Sequence, residues 1–211
     1  MNVLILYAHP EPASFCGALR DVAVSTLSAA GHAVTVSDLY AEGFNPVAGR
    51  HDFDTVADPD RFHYQSEQRL AADRQAFSPE IAREQARFAA ADFVIVIFPL
   101  WWGAMPAILK GWFDRAMAFG FAYVDGARFD KGLFASKRGL VCVTTGGTPQ
   151  RFSAGDVYGP IGTILMPVEK LCLGYMGMQV DERFVAYGVP RIDAAARAGY
   201  LDQWRARLAA L

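Results

Sequence analysis

The sequence predicts an α/β domain, a parallel sheet with helices on both faces. Two observations carry that prediction. Continuous apolar runs of strand length, NVLILY (2–7) and FVIVIF (93–98) above all, mark strands buried on both sides. Segments of helical spacing alternate with these runs, and such alternation implies crossover connections between parallel strands. Composition sets the scale. With 211 residues, 53% hydrophobic and 20% charged, the chain fits one globular domain spanning 1–211.

The elements follow in order. NVLILY is the first strand. SFCGALRDVAVSTLSAAG (14–31) has helical spacing, a Ser at its start and a Gly at its end. AVTVSDL (33–39) is the second strand. Residues 40–77 are a polar stretch rich in Asp, Arg, Gln and His, to which no element is given. SPEIAREQARFAAAD (78–92) starts a helix with Ser78 as N-cap, Pro79 at the first helical position and Glu80 behind it. FVIVIF is the third strand and 106–119 the next helix. GLVCVTT (139–145) is the fourth strand. Residues 160–176 read as a helix weakened by Pro167. MQVDERFVAY (178–187) is the fifth strand, and 193–211 a terminal amphipathic helix. There is no internal repeat and no low-complexity tract.

Composition also excludes partners. A net charge of -2 with no basic stretch argues against nucleic acid and anionic membrane. Cys16, Cys142 and Cys172 are far apart and in no CxxC spacing, which suits a reducing compartment and argues against a disulfide framework or a zinc site. His9, His32, His51 and His63 show no ligand pairing, so no metal is expected. MNVLILY has no basic segment before its apolar run and does not read as a signal peptide. The uncharged run 93–109 is shorter than the ~20 residues of a membrane span, and Pro and Gly interrupt it. A cytoplasmic protein with no integral membrane segment is expected.

Ligands of such sheets sit outside the carboxyl ends of the strands, which selects the loops at 8–14, 99–105 and 144–160. The first, AHPEPAS, has no glycine where a Rossmann loop needs G-x-G-x-x-G. The flavodoxin-like fold, five strands in the order 2-1-3-4-5, is the remaining common choice. Its first loop leads into a helix whose free N–H groups can hold a phosphate, although Ser14 reads equally as a plain N-cap. His9 is either a contact or a loop histidine. The second loop carries Trp101, Trp102 and Gly103. The third opens with Thr144, Thr145, Gly146 and Gly147, offering hydroxyls and bare N–H groups at a strand end. A flat heteroaromatic ring with a polar edge fits across PLWWG with TTGG at its edge, and isoalloxazine meets that description. Paired tryptophans also fill cores and dimer interfaces.

The run FPLWWGAMPAILKGWFDRAMAFGFAY, followed by FDKGLF, SKRGLVCVTTGG and GPIGTILMPVEKLCLGYMGMQV, resembles the NAD(P)H:quinone oxidoreductases of the DT-diaphorase type. AHPEPASF and SDLYAEGFNP extend the likeness to the N-terminus. The resemblance implies a homodimer with FAD at two interface sites. It also implies ping-pong hydride transfer from NADH or NADPH through flavin to a quinone or similar acceptor. Position by position, it implies flavin contacts at His9, Phe15, Cys16 and Ala18, at Leu100, Trp101, Trp102 and Gly103, and at Thr144, Thr145, Gly146 and Gly147. Phe152 and Arg197 complete that set. Ala122, Tyr123, Val124, Phe152 and Tyr175 match positions lining the quinone and nicotinamide pocket. The segment DPDRFHYQSEQRLA matches one that closes over the adenosine half and favours FAD over FMN.

Two departures stand out. Cys16 occupies a position where the better-known members carry Asn. Phe152 and Tyr158 stand where those members carry the Tyr and His that handle charge beside the ring, which makes Tyr158 either the catalytic hydrogen-bond donor or a pocket wall. A second reading, from another class, is a flavin-binding regulatory or interaction subunit, for example of a potassium channel, with incidental reductase activity. A third is a one-electron carrier, which a charge of -2 serves poorly.

Overall fold

The computed structural model describes residues 1–211. Four long parallel strands form the centre: β1 (Asn2–Tyr7), β2 (Ala33–Asp38), β3 (Phe93–Pro99) and β4 (Arg138–Thr144). They run in the order β2-β1-β3-β4. Two short strands, β5 (Gln179–Val180) and β6 (Phe184–Ala186), share the position beyond β4 and pair parallel to it. The expected 2-1-3-4-5 order therefore holds, with its fifth strand in two pieces. The break falls on Asp181, Glu182 and Arg183, where Asp181 turns to Arg138 at 2.6 Å and Arg183 to Glu169 at 2.7 Å.

Strand alternation divides the core into two faces. Val3, Ile5 and Tyr7 join Phe93, Ile95 and Ile97 under the first helix, α1 (Phe15–Ala29), and the last, α6 (Ala194–Leu208). Leu4, Leu6, Val94, Val96, Val141 and Val143 face the other way. That side is covered by α3 (Pro79–Ala90), α4 (Ala107–Ala116) and the helix beginning at α5 (Ile161–Met166). Each large side chain buried this way contributes about 1.5–3 kcal/mol. Trp204 adds a polar tie, donating from Nε1 to the Leu19 carbonyl at 2.9 Å and fixing α6 on α1.

The helix starts differ from one another. Ser14 caps α1, its hydroxyl accepting from Gly17 N at 3.1 Å. A Cβ at Gly17 would collide with the Pro12 carbonyl, so glycine lets α1 enter close beneath the first loop. Ser78 occupies the N-cap position of α3 but makes no capping bond, and its buried hydroxyl has no partner. Past Met166 the helix widens to π-type turns over Pro167–Leu173, because Pro167 lacks the N–H that an α-turn needs.

The polar stretch 40–77 contains a helix that sequence reading did not assign, α2 (Tyr64–Arg74). Its buried positions are Glu67, Gln68 and Ala71, so it has no apolar stripe to detect. Glu67 accepts from Ala57 N at 2.7 Å and Gln68 Oε1 from Phe119 N at 3.1 Å. The stretch is fastened to α4 by a buried ion pair in which Arg115 Nε donates to Asp52 at 2.8 Å. Arg115 also reaches Glu80 and the Asn45 carbonyl, and Tyr64 donates to Asp52 at 2.6 Å.

Asp52→Ala leaves the Arg115 guanidinium buried with half its partners gone. It is expected to destabilise the fold by about 3–5 kcal/mol in chemical denaturation. A loss below 1 kcal/mol would mean that water replaces the carboxylate.

Candidate functional site

The parallel register brings three loops to one edge. Tyr7 of β1 lies beside Ile97 of β3, and Pro99 ends level with Thr144 of β4. Beyond the strands the backbone pairing continues. Leu100 N donates to Thr144 O at 2.9 Å, Thr145 N to Ala186 O at 2.9 Å, and Gly188 N to Gly147 O at 2.9 Å. The second and third predicted loops are thus stitched to the sheet and to each other.

Between them lies a cleft of about 540 Å³. One side is Leu100, Trp102 and Gly103, and the other is Thr145, Gly146 and Gly147. Phe152, Val157 and Tyr158 close one end, with Ile164 and Arg191 nearby. Backbone bonds within the chain use neither the Gly146 nor the Gly147 amide, and both are in reach of a ligand edge. A Cβ on Gly147 would stand 2.8 Å from Phe152 Cε2 and 3.0 Å from Tyr158 Cε2, so glycine is what lets these rings close on the backbone.

The second loop is a tight hairpin. Trp101 and Ala104 exchange both backbone bonds at 3.0 Å, with Trp102 (φ 50°) and Gly103 (φ 70°) between them. Both central residues are left-handed, as in a type I′ turn. Trp102 accepts that conformation despite its side chain, and the residue is fully exposed. Trp101 leans instead toward the first loop, 5.8 Å from the His9 ring. His9 Nδ1 lies 3.0 Å from Glu11 N and 3.1 Å from the Glu11 carbonyl, which holds the ring against the first loop. The amides of Phe15 and Cys16, in the first turn of α1, are used by no bond within the chain. They open the helix end where an anion is best held. Ala18, one residue further than Gly17, is half-buried on the same turn.

Cys16 is buried, and its Sγ shares a hydrogen bond with Thr144 Oγ1 at 3.2 Å. Its side chain therefore braces β4, and only its amide is left for a ligand. Burial pushes the thiol up to about 11, partly offset by the Thr144 bond. Arg197 spends Nη1 on the Ile192 carbonyl at 2.8 Å and the Val189 carbonyl at 3.4 Å, bracing the loop that pairs with Gly147.

The residues expected to wall the acceptor pocket do not all meet at this cleft. Phe152 does, with its ring 5.0 Å from Tyr158 and 5.7 Å from Tyr187. Ala122, Tyr123 and Tyr175 line a separate cavity of about 920 Å³, in which Tyr123 and Tyr175 lie 5.7 Å apart. Val124 is adjacent, in a bridge with Ala127. His63, Tyr64 and Gln65, from the segment expected over the adenosine half, line this second cavity too. Sequence reading missed Tyr187, Ile164 and Arg191. Tyr187 and Arg191 come from beyond the last strand and reach the site only through the Gly188–Gly147 pairing.

No helix is long and apolar enough to cross a membrane, and no cluster of His, Cys, Asp and Glu could hold a metal ion. The model of a family described as flavodoxin-like fold matches residues 1–208. NAD(P)H dehydrogenase (quinone) 1 of Cavia porcellus is 40% identical over 98% of this chain and 76% of its own length. Ribosyldihydronicotinamide dehydrogenase (quinone) of Homo sapiens is 39% identical over 98% of this chain and 90% of its own. A structure from Klebsiella pneumoniae assigned as a quinone reductase superposes with a TM-score of 0.94 at 37% identity, covering 99% of this chain and 83% of that one.

The Cys16 thiol gives this site a pH signature. Its folded value, about 11, lies above its ordinary value near 9, so the fold favours the neutral thiol. The stability this contributes is intact below pH 9 and is lost as pH rises toward 11. Cys16→Ser should flatten the fall in denaturation midpoint across that window. In the folded wild type, Cys16 should resist alkylation at neutral pH, as read by peptide mass mapping.

Proposed function

This chain belongs to the NAD(P)H:quinone oxidoreductase family, an oxidoreductase family on the flavodoxin-like fold, and from that premise we propose that it is an FAD-dependent reductase of quinones. The observation that carries the reading is the cleft between LWWG and TTGG. Its volume of about 540 Å³ suits a ring system, one wall is aromatic, and the Gly146 and Gly147 amides are unspent at its edge. A second fit is the open N-terminus of α1, where the Phe15 and Cys16 amides would hold cofactor phosphate. When bound, the flavin would supply the hydride chemistry, accepting from reduced nicotinamide and giving to a quinone in turn.

The chain's own residues do the rest. The Gly146 and Gly147 N–H groups would hold the polar edge of a bound ring, and fixed donors of that kind cost no reorganisation. Phe152, packed beside Tyr187, keeps water from one end of the cleft. Tyr158 is exposed, and its hydroxyl has no partner within the chain. It is free to hold a proton toward an acceptor oxygen, in place of the residue pair found elsewhere in the family.

The site of one chain is unfinished. Trp102 stands in solvent, and Ala122, Tyr123 and Tyr175 gather at a different cavity. A two-fold partner would bring that second cavity against the first cleft, covering Trp102 and adding the aromatic wall. The homodimer and the choice of FAD over FMN both follow from this reading, since His63, Tyr64 and Gln65 would arrive with the partner. Nothing found in the comparisons favours a regulatory subunit.

Purified protein should be yellow, release FAD on heating and sediment as a dimer of the 23.1 kDa chain. Anaerobic NADH or NADPH should bleach it, and a quinone should restore the colour. FMN alone on chromatography, or a monomer that turns over quinone, would contradict the reading.

Tyr158→Phe should leave flavin bound and slow quinone reduction by about 10–100-fold, the lower range for a donor in a wet site. Stopped-flow traces of the two half-reactions separate the steps. Equal rates in both would reduce Tyr158 to a wall.

A further inference from the structure

Beside the cleft lies a second space that the reading above does not use. It has a volume of about 550 Å³ and shares Gly146, Gly147, Val157, Tyr158 and Arg191 with the cleft. What it adds is Thr148 and Arg151. Its lining holds two guanidinium groups, a hydroxyl and a phenol, and no carboxylate.

Both arginines are held from the site's own backbone. Arg191 donates through Nη1 to the Gly146 carbonyl. The Arg151 carbonyl accepts from Tyr158 N at 3.1 Å, tying this residue to the ring that ends the cleft. Neither guanidinium is used up. Arg151 gives one nitrogen, Nη1, to Asp156 at 3.2 Å, and both partners of that pair meet solvent, where an ion pair exchanges readily. Arg191 has no carboxylate partner. Other arginines nearby differ: Arg183 forks onto Glu169 at 2.7 Å through two nitrogens, and Arg197 is turned onto backbone carbonyls. Two guanidiniums at the rim of a ring-sized cleft, against the one carboxylate of Asp156, leave a local positive excess in a chain of net charge -2.

We propose that Arg151 and Arg191 form an anion subsite at the mouth of the cleft, which selects substrates carrying a phosphate, sulfonate or carboxylate beyond the reacting ring. The proposal rests on the reductase reading for the identity of that ring. Two sources present the shared chemistry: the 2′-phosphate of NADPH and an anionic group on the acceptor. Guanidinium is suited to either, because its planar fork meets two oxygens at once.

The test compares wild type with Arg151→Gln, Arg191→Gln and the double variant. The first readout is a ratio of kcat/KM values, for 1,4-naphthoquinone-2-sulfonate over 1,4-naphthoquinone with NADH, and for NADPH over NADH with the neutral quinone. The second is binding of adenosine 2′,5′-bisphosphate relative to adenosine 5′-monophosphate by calorimetry, which needs neither flavin nor turnover. The double variant should lower at least one kinetic ratio, or the relative affinity for the bisphosphate, by about tenfold. A fall confined to the sulfonate ratio assigns the subsite to the acceptor. A fall in the NADPH ratio and the bisphosphate affinity assigns it to the donor. Should Arg191→Gln fail to fold for want of its Gly146 contact, Arg151→Gln alone should lower the same quantity about threefold. Ratios and relative affinity within about twofold of wild type overturn the proposal. Failure of the reductase reading would look different, as a wild type that reduces no neutral quinone, and the calorimetry would still decide whether the two arginines hold a 2′-phosphate.

Discussion

The site depends on β4 holding two neighbours at once beyond the end of the sheet. Thr144 accepts from Leu100 on one side, while Thr145 pairs with Ala186 and Val189 on the other. This pairing sets the width of the cleft, because the tryptophan hairpin and the glycine turn hang from the same few bonds. It also consumes the polar groups of Thr145, whose hydroxyl donates to the Gly147 carbonyl at 2.8 Å. What remains unspent are the two glycine amides. The turn is rigid where it must position donors and bare where something else must approach.

Strain and exposure meet on the other wall. A tryptophan in the left-handed region costs about 1–3 kcal/mol, and the surrounding structure must supply it. Here the two Trp101–Ala104 bonds lock the hairpin and Pro106 leads straight into α4. Helix α4 is anchored by Arg115 in its buried ion pair and by Trp112, whose Nε1 donates to Glu84 at 2.9 Å. The chain thus commits a charged network to hold one helix, and the hairpin with the exposed indole leads directly into that helix.

Much of this was legible in the sequence, for identifiable reasons. β1 and β3 are buried on both faces, so their apolar runs end where the strands end. Strand alternation and the missing glycines of the first loop led to the right topology, and the topology selected the second and third loops, which the structure brings together at one cleft. What escaped notice lacked a local signal. Helix α2 buries Glu67 and Gln68 in place of an apolar stripe. The fifth strand reads as one alternating run, yet Asp181 and Arg183 pair elsewhere and split it. Tyr187 and Arg191 reach the cleft only through a non-local backbone pairing, which no window of sequence contains. The separation of Tyr123 and Tyr175 from the cleft is likewise a property of the folded surface.

The central claim is that a flavin lies between the tryptophan hairpin and the glycine turn, with its phosphates at the start of α1. Amide hydrogen exchange, measured by mass spectrometry on flavin-free protein before and after adding FAD, tests this most directly. The account predicts new protection in peptides covering 14–18, 100–104 and 144–148, where the open amides lie. It predicts little change in β1 and β3, whose amides are already bonded. Protection confined to other segments, or none on addition of FAD at saturating concentration, would contradict it.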